Sequence, residues 1–286
     1  KMLKKIQSQY TIKSIFNLLQ LNQRLKLVKY NKKYQSLLNL EMYDYVAYSQ
    51  IIIEIKPLTD ITLIQEKNKF FNYIPNTSSN NYQIYFYYNT EKKKNFGEKK
   101  SRNYFMKGEN IYKIKLYINH EVTSLKDLFC GCKIIEEINF INFHRKNITN
   151  MESMFHGCSS LVKINLENFN TENVTNMKFM FYQCTMIQEL NLNQFNTNKV
   201  INMQKMFFDC RKLKKIFFDK KNFIFNKVND MSFMFCKCYS LIDIDLSDIN
   251  FNENTHMEYM FRECAKKLIK KIKGQNSNIK QEAFKS

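Results

Sequence analysis

The chain of 286 residues contains no tryptophan, two prolines and five glycines. Glycine and proline this scarce exclude collagen-like and proline-rich classes. Long apolar runs are missing too. Ile51-Ile52-Ile53 ends at once in Glu54, far short of the ~18 residues that cross a bilayer. Lys1–Gln20 mixes charge with apolar residues and has no uninterrupted apolar stretch, so it reads as no signal peptide. The chain does not begin with Met, which leaves a removed upstream leader open. Arginine is rare, five of 45 basic residues, whereas nucleic-acid grooves lean on its bidentate fork. The net charge of +19 therefore reads as coding bias with a solvated lysine surface, and counts against nucleic acid as the partner. It is also uneven: +13 over residues 1–120, zero over 121–264 and +6 over 265–286. At 44% apolar residues the chain is not a disordered one.

What is present is a repeat. Met154-Phe155, Met180-Phe181, Met206-Phe207, Met234-Phe235 and Met260-Phe261 follow one another at spacings of 26, 26, 28 and 26, with Leu128-Phe129 another 26 residues upstream. Three residues after each Phe stands a cysteine: Cys132, Cys158, Cys184, Cys210, Cys238 and Cys264. About six units fit between residues 111 and 264. Met151, Met154, Phe155 and Cys158 fall at i, i+3, i+4 and i+7, the stripe of an α-helix. Asn150, Asn176, Asn202 and Asp230 precede it as N-caps. Leu161, Ile164 and Leu166, with their counterparts, then predict a short strand with one buried face. Such units bury their apolar sides only by stacking. The spacing predicts an α/β, leucine-rich-repeat-like solenoid, its parallel sheet on the concave side and its helices outside. Strands at ~4.8 Å against helices at ~8–10 Å should bend it.

The units 147–172 and 173–198 (NITNMESMFHGCSSLVKINLENFNTE and NVTNMKFMFYQCTMIQELNLNQFNTN) resemble the 26-residue repeat of BspA-like leucine-rich-repeat proteins, known from bacterial surface proteins and amplified in protists. The resemblance spans residues 120–264 and implies an interaction or adhesive surface rather than catalysis. The fourth unit departs from it by a two-residue insertion near Lys220–Phe225.

The flanks divide further. Residues 1–50 read as a helical segment and 51–110 as a β-rich capping region, with a turn at Pro75-Asn76-Thr77-Ser78 and a charged loop holding Gly97 and Gly108. Ile114, Leu116 and Ile118 alternate as the first strand of the 111–264 solenoid. Leu268 and Ile272 continue a helical stripe into a basic C-terminal cap, 265–286. Its lysines also suit a membrane surface.

For chemistry the residues offer little. The two C-x-C pairs, Cys130/Cys132 and Cys236/Cys238, lie four units apart and cannot share one ion. Helices ~8–10 Å apart disfavour disulfides between neighbouring cysteines, so the column reads as reduced thiols filling a crowded face, as in a cytoplasmic setting. His156 stands off the face of Cys158, and no phosphate-binding or dinucleotide motif occurs. No catalytic residue, metal or cofactor is expected.

The outward strand face remains. One column runs Glu137, Lys163, Glu189, Lys215 and Asp243; the next runs Asn139, Asn165, Asn191, Phe217 and Asp245. The first alternates in sign and neutralises itself. Phe217 is the large apolar exception in the second and the candidate anchor. These ten residues are the expected face for a protein or peptide partner of a scaffold module. Two alternatives stand beside it: binding of anionic nucleic acid or membrane through residues 1–120 and the 265–286 tail, and surface adhesion as in the bacterial relatives.

Overall fold

The computed structural model describes residues 50–58, 67–72, 84–88, 94–95, 103–106, 111–118, 122–143 and 145–285. The helical segment expected over 1–50 falls outside these but for Gln50, as do the turn at 75–78 and Gly97 and Gly108 of the charged loop. Ile51–Ser286 form one compact unit.

Its organisation follows from where the repeat's amides go. In Met151–Cys158 the N–H groups of Met154, His156 and Cys158 turn back onto the carbonyls of Met151, Ser153 and Phe155. Those of Met151, Ser153, Phe155 and Gly157 instead donate to Asn176, Lys178, Met180 and Tyr182 of the next unit. The same alternation links every later pair of units as far as His256, Glu258, Met260 and Arg262. In the first and last of these three turns the third residue takes positive φ, as in a type II turn: Ser153 (54°) and Gly157 (70°), Phe179 (58°) and Gln183 (57°), Lys205 (53°) and Asp209 (58°).

The expected α/β, leucine-rich-repeat-like solenoid with helices outside is therefore overturned. Among the described residues the chain is mostly strand and turn, with one α-helix, α1 (Lys266–Gln275), beyond the last Met-Phe segment. The physical reason lies in the spacing mismatch itself. A helix keeps ~8–10 Å from its neighbour and a strand ~4.8 Å. The chain removes the conflict by forming no helix in the repeat. Flattened into paired turns, the Met-Phe segments stack like strands, and Phe129, Phe155, Phe181, Phe207, Phe235 and Phe261 follow at ring separations of 5.7, 5.1, 5.7, 5.4 and 5.5 Å. Successive i→i+3 turns bring Met151, Met154, Phe155 and Cys158 to one buried side, as a helix would. The stripe is real; the helix it implies is not.

The strands are the less continuous element. Among the described residues a six-stranded sheet runs in the order β4 (Lys94–Asn95), β3 (Ile84–Tyr88), β6 (Ile114–Ile118), β1 (Ile51–Pro57), β7 (Ile135–Asn142) and β8 (Lys163–Asn165). Parallel pairing of β9 (Glu189–Asn191) with β10 (Lys215–Phe217) makes a separate pair, extended by a Lys215–Asp243 bridge. β2 (Lys67–Lys69) and β5 (Tyr104–Met106) pair antiparallel. The turn ladder, by contrast, is unbroken through bridges joining Ser124, Asn150, Asn176, Asn202, Asp230 and His256. β6 is not the first strand of the repeat: it pairs antiparallel with β1 and β3, and β1 lies between it and β7.

Both ends of the stack are covered. β1 pairs antiparallel along β7. Asn72 donates its amide to Leu128 and its side chain to the carbonyls of Asp127 and Cys130, beside the fully buried Phe70 and Phe71. At the far end the 3-10 turn Gln281–Phe284 copies one more layer. Tyr259 and Phe261 donate to Glu282 and Ala283, and the Phe284 ring stacks on Phe261 at 5.5 Å. Helix α1 buries Leu268 and Ile272.

Candidate interaction surface

On the strand side, alternation turns Ile138, Leu190, Ile216 and Ile244 into the core. Register then places the predicted columns. Glu137 pairs beside Lys163 and Asn139 beside Asn165, while Glu189 pairs beside Lys215 and Asn191 beside Phe217. Asp243, in the unit after that of Lys215, bridges to it.

The charges do not simply cancel down the column. Glu137 is taken by Lys56 of β1 at 2.9 Å, which also meets Glu136 at 2.9 Å. Those two carboxylates raise the Lys56 ammonium to about 12. Lys215 reaches Asp243 at 2.8 Å, and Lys271 of α1 reaches the same carboxylate at 3.3 Å. Both lower its pKa, Lys215 more. Lys220, carried by the insertion, binds Asp245 at 2.6 Å and holds it down to about 2. Among the described residues, Lys163 and Glu189 make no ion pair. All these groups are solvent-accessible, so each pair contributes only tenths of a kcal/mol. Lys56 and Lys220 are contributors that the repeat alignment does not reveal, since one lies outside the repeat and the other in its insertion.

The second column divides by role. Asn165, Asn191 and Asp245 each accept the backbone N–H two residues on, from Glu167, Asn193 and Ser247. They close Asx turns that end the strands. In the fourth unit Asp219 accepts from Lys221 instead. The insertion thus moves the turn-closing residue two places along and leaves Phe217 in the column with no turn to close. The residue is 38% exposed, with the Lys215 ammonium 4.6 Å from the ring centre. Beside β8, a groove of about 380 Å³ gathers Glu137, Asn139, Lys163 and Asn165 with Lys56 and Lys113.

The cysteine column is buried in the turns. Cys158, Cys184, Cys210, Cys238 and Cys264 donate their S–H to the carbonyls of Phe129, Phe155, Phe181, Phe207 and Phe235 at 3.0–3.1 Å. Burial pushes these thiols up, Cys264 to about 12, which keeps them protonated and poor nucleophiles at neutral pH. The spacing argument against disulfides rested on helices and goes with them; the thiols are unbridged in this structure. Among the described residues, no three of His, Cys, Asp and Glu gather as metal ligands, and no helix is long and apolar enough to cross a membrane.

A family model described as "Mycoplasma protein of unknown function, DUF285" matches residues 99–221 and, overlapping them, 162–274, together more than half of the chain. The chain belongs to the DUF285 family. Two overlapping matches to one model are what an internal repeat produces, and the DUF285 region takes in the whole turn ladder from Ser124 to His256. Neither the comparison with curated proteins nor that with solved structures finds a match.

Proposed function

We propose that the chain is a non-enzymatic protein-interaction module, its repeat of the BspA-like kind, whose strand side receives a protein or peptide partner around Phe217. The observation that carries this reading is the position of Phe217. It is an exposed aromatic, relieved of the turn-closing duty of its column and set among polar neighbours, as interface anchors are. Asn165, Asn191 and Asp245 serve the fold first, so their part is to shape the rim. An anionic-surface role for the tail has less support. The apolar side of α1 is spent on the core, and Lys271 is paired with Asp243.

The test is capture of a partner by the full chain and by Phe217→Ala at low and high salt. Truncating an anchor costs about tenfold or more in affinity, while a nearly neutral face keeps its partner as salt rises. Equal capture by both chains removes Phe217 from the reading. Steep loss with salt moves it towards a polyanion.

A further inference from the structure

The outward side of the turn ladder, separate from the strand side, carries a surface of its own. Phe179, Tyr182, Phe208 and Phe233 are half-buried there. Tyr182 stacks on Phe208 at 4.8 Å with planes 5° apart, and Phe179 meets Tyr182 edge-on at 5.6 Å. Lys178 lies 4.8 Å from the Phe179 ring, Lys205 lies 5.2 Å from Phe233 and 5.9 Å from Phe208, and Lys237 lies 5.8 Å from Phe208. Among the described residues, none of these three lysines forms an ion pair with a carboxylate. Asp209, in the same turns, is buried and bound by Arg211 at 2.8 Å.

Two features argue that the rings face a partner. Phe179 and Phe233 occupy φ of 58° and 57°, where Asn, Asp or Gly sits with least strain and a bulky side chain is unfavourable. Equivalent positions hold Asp127 and Ser153, so the turn itself needs no aromatic. The charge points the same way. Glu152 and Glu258 flank the surface in neighbouring units, but among the described residues no carboxylate pairs with any of the three ammonium groups. These lie against ring faces and so suit a partner that brings carboxylates.

We propose that the surface formed by Phe179, Tyr182, Phe208 and Phe233 with Lys178, Lys205 and Lys237 binds an acidic protein segment that interleaves carboxylates with apolar side chains. Nucleic acid fits less well. Tyr182 and Phe208 stack on each other and present edges, whereas a base needs an open ring face.

The probe is a fluorescein-labelled peptide alternating Glu and Leu, titrated into the full chain and read by anisotropy. The same peptide with Gln for Glu, a thymidine oligonucleotide and phosphatidylserine vesicles run beside it. The Glu peptide should bind more tightly than the Gln peptide and weaken with salt. The triple variant Lys178→Glu, Lys205→Glu, Lys237→Glu should lose about tenfold or more, while Phe217→Ala leaves binding unchanged, which separates this surface from the strand side. Should the triple variant fail to fold, Lys205→Gln alone should lose about threefold. Equal binding of the Gln peptide, indifference to the lysine variants, or preference for the oligonucleotide or the vesicles overturns the proposal.

Discussion

Gly157 holds φ +70° and Gly131 φ +71°. A Cβ added at Gly157 meets only the Gly131 backbone, at 3.7 Å, and one added at Gly131 meets nothing within 4 Å. Any cost of Gly→Ala there is backbone strain alone. Left-handed turns predict that each variant loses about 1 kcal/mol, measured by urea unfolding, whereas an exposed helix interior would gain about as much. The sign decides. The thiols supply a pH test. Their native pKa lies above the unfolded value near 9.0, so the unfolded chain releases protons first as pH rises. Their stabilising contribution is complete below pH ~9 and falls by about 1.4 kcal/mol per pH unit per thiol until the native thiol ionises. Cys184→Ala should flatten that alkaline slope in urea titrations from pH 8 to 11; an unchanged slope assigns it to other groups. At this scale the sequence was partly legible. Asn150, Asn176, Asn202 and Asp230 do offer Oδ1 to the N–H two residues on, the chemistry expected of a cap, but they open a turn. No residue type announces the left-handed positions, since Phe, Lys, Gln and Asp share them with Gly.

Among elements, the closing turn Gln281–Phe284 makes the firmest prediction. Deleting residues 276–286 bares the Phe261 ring and frees the amides of Tyr259 and Phe261. A buried aromatic is worth about 2 kcal/mol and each hydrogen bond about 1 kcal/mol. The truncated chain should lose about 3–5 kcal/mol by calorimetry or denaturant. A loss within error would mean that the tail is an appendage. The Leu268 and Ile272 stripe was legible because α1 is an ordinary amphipathic helix. The Met-Phe stripe misled because a period of three to four residues belongs to consecutive turns as much as to a helix. β6 misled in another way: Ile114, Leu116 and Ile118 alternate as a strand should, but alternation says nothing of which strand lies beside it, and β1, more than fifty residues upstream, takes the place.

At the scale of the molecule, repeat length and phase were readable from the Phe and Cys columns, and so was the shared apolar interior. The continuous element was not. The eye follows the Leu/Ile strands, yet these break into short sheets, while hydrogen bonds between units run without interruption through the turns. That follows from backbone accounting: with no helix to satisfy them, alternate amides of the Met-Phe segment must find carbonyls in the next unit. The surfaces inherit this order, which sets Lys215 and Phe217 on one side and the Lys205 aromatic cluster on the other face of the units. The most direct measurement is NMR scalar coupling through hydrogen bonds in the full, isotope-labelled chain. Coupling should appear from the Phe155 nitrogen to the Met180 carbonyl carbon and from Phe181 to Met206. Coupling from Phe155 to Met151 and from Phe181 to Met177, the bonds of an α-helix, would contradict the account.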